Sequence, residues 1–290
     1  MSDGAVIVAR CYGRADGPRL VLGHGNGLSS DAFAPFWLPL CGRFDVVVFD
    51  LRNHGRNPLH QAAGHTLPRF AEDFEELWHG FAREFGAKPA SGIFHSISAI
   101  AALMQDLKYG ARFGPLVLFD PPIYPRPGHA LEAIKARHSK KMARLAERRP
   151  DRFKSPEDLA WQYANRKEFS RWVAGAHELV ARATVKRDAQ RGDWTLVCPK
   201  PMEVHIFNTN NDPTIWPRLG EIHVPMKFII ADPDGIDASP IPSVALAIAE
   251  EFGIECESIP NTTHFLQIER PDACIRAVLG FLAKHGIKAD

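Results

Sequence analysis

The residues best placed to do chemistry begin with Ser96, in the stretch Phe94-His95-Ser96-Ile97-Ser98. A short apolar run, Gly92-Ile93-Phe94, precedes it, and a helix-like run from Ser98 to Met104 follows at once. A serine pinned in a strand-to-helix turn projects its hydroxyl outward, beside the first free N–H groups of the helix, where an oxyanion can be held. The alcohol is a weak nucleophile at neutral pH, so it needs a base, and the base needs an orienting acid. In open α/β sheets such groups collect beyond the carboxyl ends of the strands. The places to look are therefore the residues just after each apolar run. Met226–Ala231 is followed by Asp232-Pro233-Asp234-Gly235, and Ile254–Ile259 by Pro260-Asn261-Thr262-Thr263-His264-Phe265. Arg19–Leu22 runs into His24-Gly25-Asn26-Gly27, whose small residues would let backbone N–H groups face an oxyanion. Pro115–Phe119 is closed by Asp120-Pro121-Pro122. Ser96 would also serve as an ordinary helix N-cap. Both glycine places of the usual Gly-x-Ser-x-Gly elbow are filled, by Phe94 and Ser98. A nucleophile here needs room that glycine normally supplies, and the substitution predicts a displaced strand or helix next to Phe94.

These residues require a scaffold of alternating strands and helices. Ala5–Tyr12 reads as an edge strand, and Ala32–Cys41 as a helix entered through Ser30-Asp31. Phe44–Phe49 is apolar and β-branched apart from Asp45, as a parallel strand covered on both faces should be. Leu67–Phe85 carries Phe70, Phe74, Leu77, Trp78 and Phe81 at helical spacing. The alternation predicts a doubly wound, mostly parallel α/β sheet. From Pro125 to about Arg218 no strong buried-strand run occurs, and helical stretches dominate at Ala130–Arg149, Pro156–Arg166 and Phe169–Arg187. Sheet logic then resumes, with a helix at Pro242–Phe252 and a closing amphipathic helix at Pro271–Lys284. The expected organisation is a core domain of residues 1–123 and 219–290 with a helical cap, 124–218, inserted after the sixth strand.

Composition narrows the function classes. The 290 residues are 45% hydrophobic and 24% charged, as in an ordinary globular protein, and the net charge of +1 gives no reason to expect nucleic acid. Five cysteines without a CxxC pair suggest reduced, mostly buried thiols. The start Met1-Ser2-Asp3-Gly4-Ala5-Val6 does not read as a signal peptide, and no apolar run approaches the roughly 20 residues of a membrane span. The expectation is a soluble, cytoplasmic protein without cofactor. The histidines show no paired spacing, so no metal site is expected. The basic run Lys135–Arg144, flanked by Glu132 and Glu147, reads as a solvated face of the insertion. Four of the six tryptophans, Trp161, Trp172, Trp194 and Trp216, lie in the insertion, either lining an apolar pocket or forming its own core.

At this point the chain resembles an α/β-hydrolase fold serine hydrolase of esterase or lactonase type, with a helical cap. His24-Gly25-Asn26-Gly27 resembles the family's oxyanion loop. Asp50-Leu51-Arg52-Asn53-His54-Gly55 resembles its Asp-x-Arg-Gly-His-Gly motif, with Asn53 in the glycine place. Ala231-Asp232-Pro233-Asp234 stands where the family has a Gly-x-x-Asp turn, and Thr263–Pro271 resembles its histidine loop and closing helix. The resemblance implies Ser96 as nucleophile, His264 as general base and Asp234 as the orienting acid, in the chain order Ser…Asp…His. Asp120 is the alternative acid, since some members carry it there. The backbone N–H groups of Asn26 and Ile97 would form the oxyanion hole, where loss of one donor costs about 2.7–4 kcal/mol. His95 is read as a packing residue, and His24 as shaping its loop. The implied substrate is a small molecule with an apolar part, a carboxylic ester or lactone. Cleavage of a C–C bond by the same triad, or ligand binding without catalysis, are the alternatives. A homodimer is compatible with this reading.

Overall fold

The computed structural model describes residues 1–235 and 238–288. Strands β1 (Ala9–Gly13), β2 (Arg19–Gly23), β3 (Asp45–Phe49), β4 (Ala90–His95) and β5 (Leu116–Phe119) open the main sheet. Strands β6 (Arg152–Phe153), β7 (Val185–Arg187) and β8 (Trp194–Leu196) form a separate antiparallel sheet in the order β6-β8-β7. Strands β9 (Met226–Ile230) and β10 (Glu255–Ser258) complete the main sheet, whose order is β1-β3-β2-β4-β5-β9-β10. Only β1 runs antiparallel, on the edge. The other pairings are parallel.

The helices in chain order are α1 (Ala34–Trp37), α2 (Leu67–Phe85), α3 (Ile97–Tyr109), α4 (Glu132–Arg148), α5 (Pro156–Ala164), α6 (Ala176–Thr184), α7 (Lys200–Thr209), α8 (Ile215–Arg218), α9 (Pro240–Phe252), α10 (Leu266–Glu269) and α11 (Pro271–Lys284). The predicted bounds of α2 and α11 match the observed ones, because both carry a long, uninterrupted apolar stripe. The helix expected at 32–41 is instead two 3-10 turns around the single turn of α1. Pro35 and Pro39 remove two backbone donors from that stretch, which prevents a continuous α-helix.

Pleating divides the central strands between two cores. Val47 and Phe49 of β3 join α2, α3 and α9 on one face of the sheet. Val46 and Val48 join Phe36, Trp37 and α11 on the other. Strand β3 is buried throughout, as its lack of a polar face requires. The stretch between β5 and β9 departs from the expectation in two ways. It follows the fifth strand in chain order rather than the sixth. It is also not purely helical, because strands of two and three residues, too short to show a period in the sequence, pair across it. No described helix is long and apolar enough to cross a membrane.

Candidate active site

Ser96 sits where β4 turns into α3, with φ 56° and ψ −121°. A non-glycine residue in that region is strained, and strand-to-helix elbows are where such strain is held. Here the Ser96 N–H donates to the Phe119 carbonyl at 2.9 Å and its own carbonyl accepts from Ala99 at 2.9 Å. The side chain makes no capping bond, so the N-cap reading is not realised; Oγ lies 2.9 Å from His264 Nε2 instead. Beside Phe94 the strand itself shows no displacement. Strand β4 pairs without interruption with β2 and β5 on either side. The room comes from elsewhere. A methyl group at Gly92 would overlap the Phe94 ring, which packs against Phe74 and Phe113. A Cβ at Gly23 would stand 2.7 Å from Ser98 Oγ, which donates to the His24 carbonyl. The space usually opened by glycine within the elbow is therefore opened two residues before it and on the neighbouring strand.

The carboxylate that meets His264 is Asp120 and not Asp234, the residue expected there. His264 Nδ1 donates to Asp120 Oδ2 at 2.6 Å. Asp120 caps β5, the strand next to β4, and its φ of 44° turns the carboxylate toward the histidine loop. It is fully buried, and its Oδ1 accepts the Ala231 N–H at 3.1 Å. Asp234 is exposed in the turn after β9. Its neighbour Asp232 organises that turn, accepting the backbone N–H of Asp234 at 3.1 Å and of Asn261 at 2.8 Å. Both aspartates follow a strand, but only the one on β5 reaches the imidazole. His95, expected to be packing alone, also bonds the histidine loop: its Nε2–H donates to the His264 carbonyl at 2.9 Å and its ring lies 4.7 Å from the His264 ring. Burial holds His95 well below the ordinary histidine range, so it stays neutral.

The loop after β2 carries the other half of the site. A Cβ at Gly25 would stand 3.1 Å from Ser96 Cβ, so only glycine lets this loop pass so close to the elbow. Among the described residues, neither the Asn26 nor the Ile97 backbone N–H meets an acceptor, which leaves both available. His24 Nε2 accepts the Leu51 N–H at 2.9 Å and its Nδ1–H donates to the Gly25 carbonyl at 2.8 Å, so the ring braces the loop as expected. Asn53 stands at φ 62°, a conformation asparagine tolerates better than most residues, and this accounts for its place in a glycine position. The inserted stretch also contributes: the Asn26 side-chain amide donates to the Glu203 carbonyl on α7 at 2.9 Å. Nothing in the sequence signalled Glu203, since the contact joins residues far apart in the chain.

His54, His65 and Cys198 also come together, with ligand-capable atoms within 4.8 Å. His54 Nε2 accepts the Gly27 N–H at 3.0 Å while its Nδ1–H donates to the Arg52 carbonyl at 2.9 Å, so both its nitrogens are committed to holding the loop. The tryptophans divide. Trp216 and Trp172 are buried in the two main cores, Trp161 is exposed and Trp194 is half-buried. Trp172 and Phe169 meet Phe265, next to His264 in the chain, in edge-on ring contacts. The basic run on α4 is solvated at Arg137, Lys140 and Lys141, but Lys135 is buried.

Taken together, an alcohol, an imidazole and a carboxylate stand in hydrogen-bonded sequence beside two free amides, an arrangement able to perform acyl transfer. The fold compares closely with solved structures. E-2-(acetamidomethylene)succinate hydrolase is 16% identical with a TM-score of 0.80, over 96% of each chain. A hydrolase from Pseudomonas aeruginosa is 22% identical with a TM-score of 0.72, over 97% of this chain and 96% of that one. A thermophilic esterase from Thermogutta terrifontis, solved with malate bound, is 20% identical with a TM-score of 0.69, over 97% of this chain and 94% of that one. The sequence model of the alpha/beta hydrolase family matches residues 20–277, and the chain belongs to that family.

Proposed function

We propose that this protein is a serine hydrolase that cleaves a carboxylic ester or lactone through an acyl-enzyme on Ser96. The reading is carried by one observation, the unbroken chain from Ser96 Oγ through His264 to the buried Asp120, at 2.9 and 2.6 Å. His264 Nε2 takes the hydroxyl proton as Oγ bonds to the substrate carbonyl carbon. The carbonyl oxygen becomes an oxyanion, held by the backbone N–H groups of Asn26 and Ile97. Collapse breaks the bond to the alcohol, which leaves with the proton from His264. Water then gives a proton to His264 and attacks the acyl carbon; the acid departs and the proton returns to Ser96. Asp120 stays ionised throughout, fixing the imidazole tautomer and balancing its charge. Residues 124–218 act as a cap that sets the pocket, with the Phe169–Trp172–Phe265 cluster offering an apolar wall near His264.

A fluorophosphonate probe tests the nucleophile. Wild type is expected to label and Ser96→Ala to remain unmodified; a folded wild type that takes no label refutes the reading. A panel of esters, lactones and thioesters then ranks the substrate class.

A further inference from the structure

Lys135 on α4 is 2% exposed, yet no carboxylate pairs with it among the described residues. Its Nζ donates to Ser139 Oγ at 3.1 Å and lies 5.9 Å from the centre of the Tyr124 ring. One of three ammonium donors is thus used by a neutral partner. The nearest acid along the helix, Glu132, is spent on the Gly128 N–H at 2.8 Å. Burial alone pulls the Lys135 pKa down, to about 8, so the ammonium is still charged at neutral pH. A buried charge without a counter-ion is costly, and proteins keep one where something else supplies the opposite charge.

The position of this cation says what that something is. Tyr124 follows Asp120 by four residues at the end of β5. His138, one turn along the same helix face, is near enough to His264 and Asp120 to feel the charge of both, and burial holds it neutral, with a pKa of about 4. His138 therefore stands on the side of the reacting groups, with Lys135 one turn before it and beyond the reach of their charge. A single ammonium supplies one positive charge and two spare N–H donors, which one carboxylate balances and accepts in full.

We propose that Lys135 is a specificity-determining residue that binds a carboxylate of the substrate, so that the compound cleaved at Ser96 is a carboxylic ester or lactone carrying a second, free carboxylate. The proposal rests on the serine hydrolase reading of Ser96, and a binding test keeps the two separable. Succinate, glutarate and adipate are titrated calorimetrically into wild type and Lys135→Met, with pentanoate as the single-carboxylate control. At least one dicarboxylate is expected to bind wild type at neutral pH, more tightly than pentanoate. Its affinity should fall on the order of 100-fold in Lys135→Met, as expected when a charged partner is stripped from a buried hydrogen bond. Lys135→Met should fold at least as stably as wild type, because methionine fills the same space without an unpaired charge; a lysine kept for structure would instead leave the variant weaker. Failure of wild type to bind any of the three dicarboxylates, or equal binding by Lys135→Met, overturns the proposal. Fluorophosphonate labelling of both proteins reports separately on Ser96.

Discussion

Replacing Asp120 by asparagine is the most informative single change. The Asp120 carboxylate is fully buried and accepts the His264 Nδ1 proton at 2.6 Å. In Asp120→Asn the same volume is kept, and the Ala231 N–H that bonds Oδ1 at 3.1 Å can still meet the amide oxygen. The amide nitrogen would then face His264 Nδ1 as a donor. That forces the imidazole tautomer carrying its proton on Nε2, the nitrogen that must accept from Ser96. The imidazolium that would form during acylation also loses the counter-charge that the fully buried Asp120 supplies. The expected loss is about 10⁴-fold in kcat, equivalent to about 5.5 kcal/mol of barrier. Asp234→Asn, an exposed change in the turn after β9, should stay within about twofold of wild type. Turnover of a short p-nitrophenyl ester measures both variants, with thermal unfolding as a check on folding. More than a tenth of wild-type activity in Asp120→Asn, or a comparable loss in Asp234→Asn, would refute the assignment of the acid.

Two further outcomes follow from packing and charge. Gly92→Ala should lower stability by about 1–3 kcal/mol in urea unfolding, because its methyl group meets the Phe94 ring and stands near Leu116; unchanged stability would show that Gly92 does not make the room for Phe94. Lys135 shifts downward from 10.5 to about 8 on folding, so between those values the unfolded chain binds more protons than the folded one, and stability should rise with pH across that window. The rise is about 3 kcal/mol at most, and it should vanish in Lys135→Met, as comparison of urea unfolding at pH 7 and pH 10 would show; the same rise in the variant would assign it to another group.

Much of this protein was legible along the chain. The apolar run Phe44–Phe49, the stripe of Leu67–Phe85 and the closing helix Pro271–Lys284 declare their structure through local periodicity, which depends only on neighbours in sequence. The order of these elements implies the sheet, and strand ends followed by polar loops mark where chemistry should collect. Ser96 and His264, named from that logic, face each other across 2.9 Å. Which carboxylate meets His264 was decided by tertiary structure. Asp120 and Asp234 both follow strands, and the chain gives no reason to rank by distance two residues that approach His264 from different parts of the sequence. The strand order puts β5 directly beside β4, and the backbone turn at Asp120 aims its carboxylate at the imidazole. Likewise, Phe94 reads as a misfit in the elbow until Gly92 and Gly23 are seen to make its space. Lys135 reads as one of a solvated basic row until the fold buries it. Sequence by itself determined the elements and the chemical types at their ends, because those are local. Which side chains meet, and which charge is left unpaired, depended on tertiary packing, as where Asp120 meets His264 from 144 residues away.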